Sequence, residues 1–361
     1  MFQDKYVFVQ LTAFLNRTQF NNYVRKYDGN RYVKHFTCWN QLLAMMFGQL
    51  SYRESLRDLI VALEAHRATQ YHLGLGRNTI VKATLAYANQ TRDYRIFENF
   101  AFYMMKEACK KREISILNIP GKKYAFDSTT IPLCLATFPW AKFRSKKGGV
   151  KAHVLYDVEA QVPAFYTVTT ASKHDSTAMS SITYEPNRYY IFDRAYDTFK
   201  ELYKIHLTGS YYVVRSKTNL KYKMVKWKRR MPMNVLTDAE VKLTGYLSEK
   251  KYPESFRFIR YYDEEDDCEF TFLTNAKHLS ALDVANLYKK RWLVELFFKW
   301  LKQHLKIKRF WGTTKNAVRI QISVAIITYC LVAIVHHDMQ LKRSTYEVLQ
   351  ILSISLTDKP A

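Results

Sequence analysis

Apolar positions recur every three to four residues through roughly the first 118 positions, which is a helical period. VFVQLTAFL, CWNQLLAMMFGQL and SLRDLIVALEAH each carry it, and Ser51 to Glu54 (SYRE) reads as a capping box ahead of the third. A further helix is predicted over roughly Thr91 to Arg112. From Lys123 the pattern changes to short runs rich in Tyr, Val and Phe: YAFDSTTIPL, GVKAHVLYDV, VPAFYTVTTA, YYIFD and SYYVVRS. These predict strands, the first three as an antiparallel meander and the last two joined by a helix over Tyr196 to Leu207. FRFIRYY and CEFTFLTN predict a hairpin around the acidic turn Asp263 to Asp267. Tyr288 to Lys302 (YKKRWLVELFFKWLK) follows as one amphipathic helix, and the apolar run Ile320 to Val335 as another. That run is short for a membrane span and contains Gln321, Ser323 and Thr328, so it predicts a buried core helix and no membrane partner.

The expected class is therefore α/β: a mixed sheet interrupted by a β-rich insertion and preceded by an all-helical N-terminal domain. The segments are 1–118 helical, 119–217 first part of the sheet core, 218–274 β-rich insertion, 275–340 second part of the core, and 341–361 a tail without a clear signal.

Composition narrows the partner. The chain has 361 residues, 48% of them hydrophobic, so wholesale disorder is excluded. Lys and Arg number 56 against 32 Asp and Glu, a formal charge of +24, for which a nucleic-acid backbone is the commonest counterpart. In the N-terminal segment Tyr23, Arg25, Lys26, Tyr27, Arg31, Tyr32, Lys34 and His35 interleave basic and aromatic side chains. That suits a DNA-binding module, and equally a helical packing domain with solvated charges. The cysteines, Cys38, Cys109, Cys134, Cys268 and Cys330, are odd in number and none has CxxC spacing, so no zinc ribbon or disulfide framework is indicated. With no signal-peptide pattern in MFQDKYVFVQ, the expected location is the cytoplasm.

Three carboxylates stand out. Phe126-Asp127 and Phe192-Asp193 each put an acid at the end of an apolar strand, where a charge is costly unless paired or metal-bound. Glu295 is the only acid among nine Lys/Arg between Asn286 and Lys315. On a continuous helix Tyr288, Arg291, Glu295 and Lys302 share an arc of roughly 60°, while Leu293, Val294, Leu296, Phe297, Trp300 and Leu301 take the far side. Hard oxygen donors without a Cys/His cluster suit Mg²⁺ or Mn²⁺, and a two-metal site serves phosphodiester chemistry. Read singly, each aspartate is equally a strand-end cap or an arginine partner, and the lysines are a solvated face. The acidic run 263–267 lacks calcium-loop spacing, His174-Asp175 reads as a loop turn, and Trp227 among Lys226, Lys228, Arg229 and Arg230 either stacks an unpaired base or fills a sheet core.

Tyr288, Arg291, Glu295 and Lys302 reproduce the Y-(2)-R-(3)-E-(6)-K signature, and the chain resembles the bacterial DDE transposases of the "insertion sequence 4" family. Asp127 in FDSTTIPL resembles that family's first catalytic aspartate. Asp193 in FDRAY resembles the second, with Ala195 in place of the usual Gly. VVRSK at 213–217 and LTN at 273–275 also resemble the family's sequence. The resemblance implies an RNase H-like fold and an active site in which Asp127, Asp193 and Glu295 bind two Mg²⁺ or Mn²⁺ ions. Tyr288, Arg291 and Lys302 are implied to position terminal phosphates, with Trp227 proposed by analogy for a flipped base. The implied activity is cleavage at terminal inverted repeats and strand transfer into target DNA, cut-and-paste through a hairpin, by a homodimer on double-stranded DNA in the nucleoid. A metal-dependent nuclease on the same fold and a non-catalytic DNA-binding repressor are the competing functions.

Overall fold

The computed structural model describes residues 5–112, 117–144, 147–196, 198–217, 219–304, 309–343 and 345–359. The chain divides into two compact units: Met1–Glu113 with Ile131–Val150 and Phe297–Ala361, and Ile114–Thr130 with Lys151–Leu296.

The first unit is mostly helical. α1 (Val7–Thr12), α2 (Arg17–Lys26), α3 (Cys38–Leu50), α4 (Leu56–Ala65), α5 (Lys82–Thr91) and α6 (Tyr94–Lys111) come from the N-terminal segment. Polar side chains start four of them, α2, α3, α4 and α6, where helix N–H groups lack partners. Asn16 caps α2, Thr37 and Asn40 form a capping box on α3, and Asp93 caps α6. The cap of α4 is Ser55, whose hydroxyl accepts from Asp58 N–H at 3.1 Å. The predicted SYRE box is thus displaced: Ser51 closes α3 instead, donating to Phe47 O at 2.7 Å. Later in the chain, the C-terminal helices are α12 (Lys315–Asp338) and α13 (Thr345–Ser355). α12 is long and apolar enough to cross a membrane, yet it is almost wholly buried within this unit, packed on α6 and α3. Its polar residues are matched internally. Gln321 accepts from Trp311 N–H (2.8 Å) and donates to Arg309 O (3.1 Å), and Thr328 donates to Gln49 (3.1 Å). Satisfied groups of this kind make a buried polar residue tolerable.

The second unit is built on the mixed sheet. The strands of that sheet are β1 (Lys123–Leu133), β2 (Lys142–Arg144), β3 (Lys147–Asp157), β4 (Val162–Thr170), β5 (Tyr189–Phe192), β6 (Tyr211–Arg215), β7 (Tyr222–Trp227), β8 (Val235–Leu243), β9 (Phe256–Asp263) and β10 (Cys268–Thr274); β2, the end of β1 and the start of β3 are counted with the first unit. Their order is β2-β3-β1-β5-β6-β10-β9-β8-β7, with β4 also pairing β3. β1–β5 and β5–β6 are parallel, whereas the pairs from β6 to β7 are antiparallel. The strands of the β-rich segment therefore extend the same sheet through β10, and the predicted β9–β10 hairpin forms.

Period-two alternation assigns the faces. Phe126, Tyr190, Phe192, Tyr212 and Val214 belong to one core with Leu202 and Ile205 of α8 (Phe199–Leu207). The short helices α7 (Asp175–Ala178) and α9 (Tyr246–Lys251) lie in the connections, and Tyr252, just after α9, joins the same core. The other face carries α10 (Ala281–Lys289), whose Tyr288 ring lies 4.8 Å from that of Phe272. α10 starts on a Ser280–Asp283 capping box.

The predicted single helix over Tyr288 to Lys302 is two helices. α10 ends at Lys289 and α11 spans Trp292–His304. At the junction Arg291 N–H reaches Tyr288 O (2.9 Å) and Val294 N–H reaches Arg291 O (3.1 Å), so the bonding tightens to three-residue steps. The apolar side of α11 is Val294, Phe297, Phe298, Trp300 and Leu301; Leu296, expected among them, is exposed.

Candidate active site

The parallel register builds the site. Phe126 on β1 pairs with Phe192 on β5, and the pairing ends there. Asp127 and Asp193 are the next residues on neighbouring strands, about 4.8 Å apart in the strand-pairing direction. Because both Phe side chains point to the α8 core, alternation turns the two aspartates toward the α10 face. Asp193 follows the last residue of β5, as a strand-end position should. Asp127 does not end its strand, since β1 runs on to Leu133; it ends only the part paired to β5.

The α10–α11 junction delivers the partners. Tyr288 Oη donates to Asp193 Oδ1 at 2.9 Å. Arg291 spans two acids, donating from Nη1 to Asp127 Oδ2 (2.9 Å) and from Nη2 to Glu295 Oε1 (2.6 Å). Ser128 N–H donates to Asp127 Oδ1 at 2.8 Å. The break at Lys290–Arg291 invalidates the single-helix arc, but the i, i+4 spacing of Arg291 and Glu295 survives within reach of one guanidinium.

The electrostatics are those of crowded carboxylates. Burial pushes the Asp127 carboxyl up to about 6 against the pull of Arg291 and the Ser128 N–H, and Glu295 and Asp193 push it the same way. Burial, then Asp193, raises the Tyr288 phenol to about 12, so it stays a hydrogen-bond donor at neutral pH. Burial works against the charge on Arg291, but Tyr288, Asp127 and Glu295 outweigh it and strengthen its hold on the proton. Arg291 Nε is buried and has no hydrogen-bond partner among the described residues. Among the described residues no three His, Cys, Asp or Glu stand together as a finished ligand shell; Arg291 occupies the space between Asp127 and Glu295. Three hard oxygen donors, two of which raise the proton affinity of Asp127, nonetheless fit a divalent cation, which would relieve that repulsion.

Two other expected residues fall elsewhere. Lys302, seven positions beyond Glu295 on α11, is half-buried and belongs to the other compact unit. Trp227 is 62% exposed at the end of the edge strand β7, which removes the sheet-core reading for it. Lys289 is taken up by Asp263 (2.9 Å) and Glu265 (3.1 Å), so part of the acidic turn serves as its partner.

Two groups were missed. Asp175 lies in more than a loop turn: it accepts from Ser128 Oγ at 2.7 Å and Lys151 Nζ at 3.0 Å, bracing the strand at Asp127. Trp292, 52% exposed, helps line a cavity of about 330 Å³ with Arg215, Tyr261, Phe270, Phe272, Tyr288 and Arg291. The signal for Trp292 was an aromatic residue directly beside Arg291 in sequence; the Asp175 contact spans 47 residues and left no local mark.

Arg291 thus joins Asp127 of β1 to Glu295 of α11, and Tyr288 holds Asp193 just past β5. Residues 120–331, more than half the chain, match the transposase DDE domain, and the chain belongs to that family. Residues 3–76 match a domain of unknown function, DUF4372. The chain is 35% identical over 234 residues to transposase y4zB of Sinorhizobium fredii, covering 63% of this chain and 64% of that one. It is 29% identical over 246 residues to the transposase for insertion sequence element IS5377 of Geobacillus stearothermophilus, covering 68% and 64%. The matched segments thus span just under two thirds of the length of these two relatives. A third, the transposase for insertion sequence element IS4SA of Synechocystis, is 24% identical over 297 residues, covering 80% and 81%. The piggyBac transposase synaptic complex with hairpin DNA, solved by cryo-EM, is similar with a TM-score of 0.48 at 12% identity, covering 98% of this chain and 81% of that one.

Proposed function

We propose that this protein is a DNA transposase of the "insertion sequence 4" group, with an RNase H-like core, that cleaves DNA at terminal inverted repeats and joins the freed ends to target DNA, by cut-and-paste through a hairpin. The observation that carries the reading is the interlock of Tyr288 with Asp193 and of Arg291 with both Asp127 and Glu295. Residues far apart in sequence and drawn from the signature thereby meet at one point.

Asp127, Asp193 and Glu295 would hold two divalent cations, Mg²⁺ or Mn²⁺. Ions held there would supply activation of an attacking oxygen and stabilisation of a leaving one. The two Arg291 donors now directed at Asp127 and Glu295 are spaced to hold a phosphate in bidentate fashion, and would do so if those carboxylates were otherwise neutralised. Tyr288, protonated at neutral pH, adds a third donor. Lys302 completes the signature and takes a phosphate-positioning role by the same resemblance. The cavity beside Trp292 and Arg215 has the aromatic lining for a base next to the scissile bond and is better placed for that role than Trp227. The working form is a homodimer on double-stranded DNA in the cytoplasm.

Glu295→Gln is expected to abolish Mg²⁺-dependent cleavage of DNA carrying the element's ends, by on the order of a thousand-fold, while gel-shift binding persists. Full cleavage by that variant would remove Glu295 from the site.

A further inference from the structure

Two clefts in the N-terminal helices share a rim at Asp28 and Arg31. One, about 850 Å³, opens between the 27–36 loop, the 75–80 loop and α5; the other, about 810 Å³, lies between α2 and the start of α3. Six Lys and Arg side chains line them, Arg17, Arg25, Arg31, Lys34, Arg77 and Arg92, and among the described residues none makes an ion pair. Of the lining carboxylates, Asp93 is held by Arg95 at 2.6 Å, which leaves Asp28 as the acid facing these cations. One acid therefore faces several cations and the positive charge here is largely uncompensated, unlike that around Arg291.

The cations are also set against rings. Arg17 lies 5.4 Å from the Trp39 centroid, Arg31 5.0 Å from Tyr32 and Arg77 4.8 Å from Tyr71. Tyr32 is 89% exposed and held at φ +58°, a left-handed conformation that an aromatic residue adopts at a cost of about 1 kcal/mol or more. No burial of its ring offsets that cost. Across the larger cleft Tyr87 of α5 is 69% exposed. Arginines without an ion pair, interleaved with solvent-exposed aromatic rings, suit phosphates alternating with bases. A duplex keeps its base faces stacked inward, so rings presented this way can stack only on unpaired nucleotides.

We propose that these clefts form a binding site for unpaired DNA, with the backbone on Arg17, Arg31, Lys34 and Arg77 and bases stacked on Tyr32 and Tyr87. The site shares no residue with the carboxylate cluster and stands whether or not the catalytic reading holds. It supplies a role for part of the segment that matches a domain of unknown function.

The test is fluorescence anisotropy of the full chain, in EDTA, with an oligothymidylate of about a dozen nucleotides and a blunt duplex of the same length. Tyr32→Ala with Tyr87→Ala is expected to weaken single-strand binding about ten-fold or more and to leave duplex binding within about two-fold. The corresponding Phe pair should restore it, since Phe keeps the stacking face. Arg31→Ala with Arg77→Ala should flatten the single-strand salt dependence by roughly 0.7 per cation. Both tyrosines are exposed, so an unchanged melting temperature is expected in each variant. Equal losses on strand and duplex, no loss on either, or tighter binding of an oligouridylate than of the oligothymidylate would overturn the proposal.

Discussion

Arg257 and Arg291 lie in the same compact unit and both donate to an aspartate, but only one of them is used up by its surroundings. Arg257 grips Asp238 with Nε (2.7 Å) and Nη2 (2.6 Å) and gives Nη1 to Leu279 O (2.5 Å), and both side chains of the pair are only 5% exposed. Burial alone would raise the Asp238 carboxyl, yet Arg257 and Lys228 outweigh it and hold it below the ordinary range. Arg291 instead spreads single bonds over two acids, leaves Nε without a partner, and has in Glu295 a neighbour that is 55% exposed. Its Asp127 is pushed up where Asp238 is held down. A closed bidentate pair is a structural clamp. A shared, under-satisfied arginine among mutually repelling acids is poised to exchange partners, and that distinguishes the candidate active site from the other ion pairs of the sheet.

Breaking each pair should separate the two roles. Asp238→Asn strands a buried guanidinium and is expected to cost about 3–5 kcal/mol of stability, read by urea denaturation. Arg291→Gln, at a site whose Asp127 can take up a proton and whose Glu295 is 55% exposed, should cost clearly less than Asp238→Asn while removing cleavage. Equal destabilisation by the two would erase the contrast.

A smaller effect comes from His153 of β3, fully buried and stacked on Phe126, with Nε2 on Thr169 at 2.9 Å and Asp175, Lys151 and Lys173 as its charged neighbours. Burial lowers it from 6.5 to about 4, so the folded protein binds fewer protons than the unfolded chain between those values. The sign follows: its contribution is fully present above about pH 6.5 and is lost as pH falls toward about 4, amounting to about 3 kcal/mol in all. Denaturation midpoints of His153→Gln should fall less steeply with acid than those of the parent; parallel curves would show that His153 is not the group responsible.

Much of this was legible from local pattern. The alternation in YYIFD and YAFD marked two strands whose next residue is acidic, and parallel pairing of those strands then aligned Asp127 with Asp193. The i, i+4 spacing of Arg291 and Glu295 survived as well. The break at Lys290–Arg291 was not visible, because no Gly or Pro marks it and tertiary contacts to Asp127 and Asp193 impose it. Ser51 was mistaken for a cap because Ser55, the real one, is followed three residues later by Asp58 rather than Glu or Gln. The Asp238–Arg257 clamp and the Asp175–Ser128 brace join residues 19 and 47 positions apart, a separation that leaves no periodic trace.

The proposed function requires Asp127, Asp193 and Glu295 to form one divalent-cation site. Mn²⁺ binding can be followed by electron paramagnetic resonance on the full chain with DNA bound. About two tightly bound ions per chain are expected, lost or reduced to one in Asp127→Asn and in Glu295→Gln. Unchanged binding in both variants would contradict it.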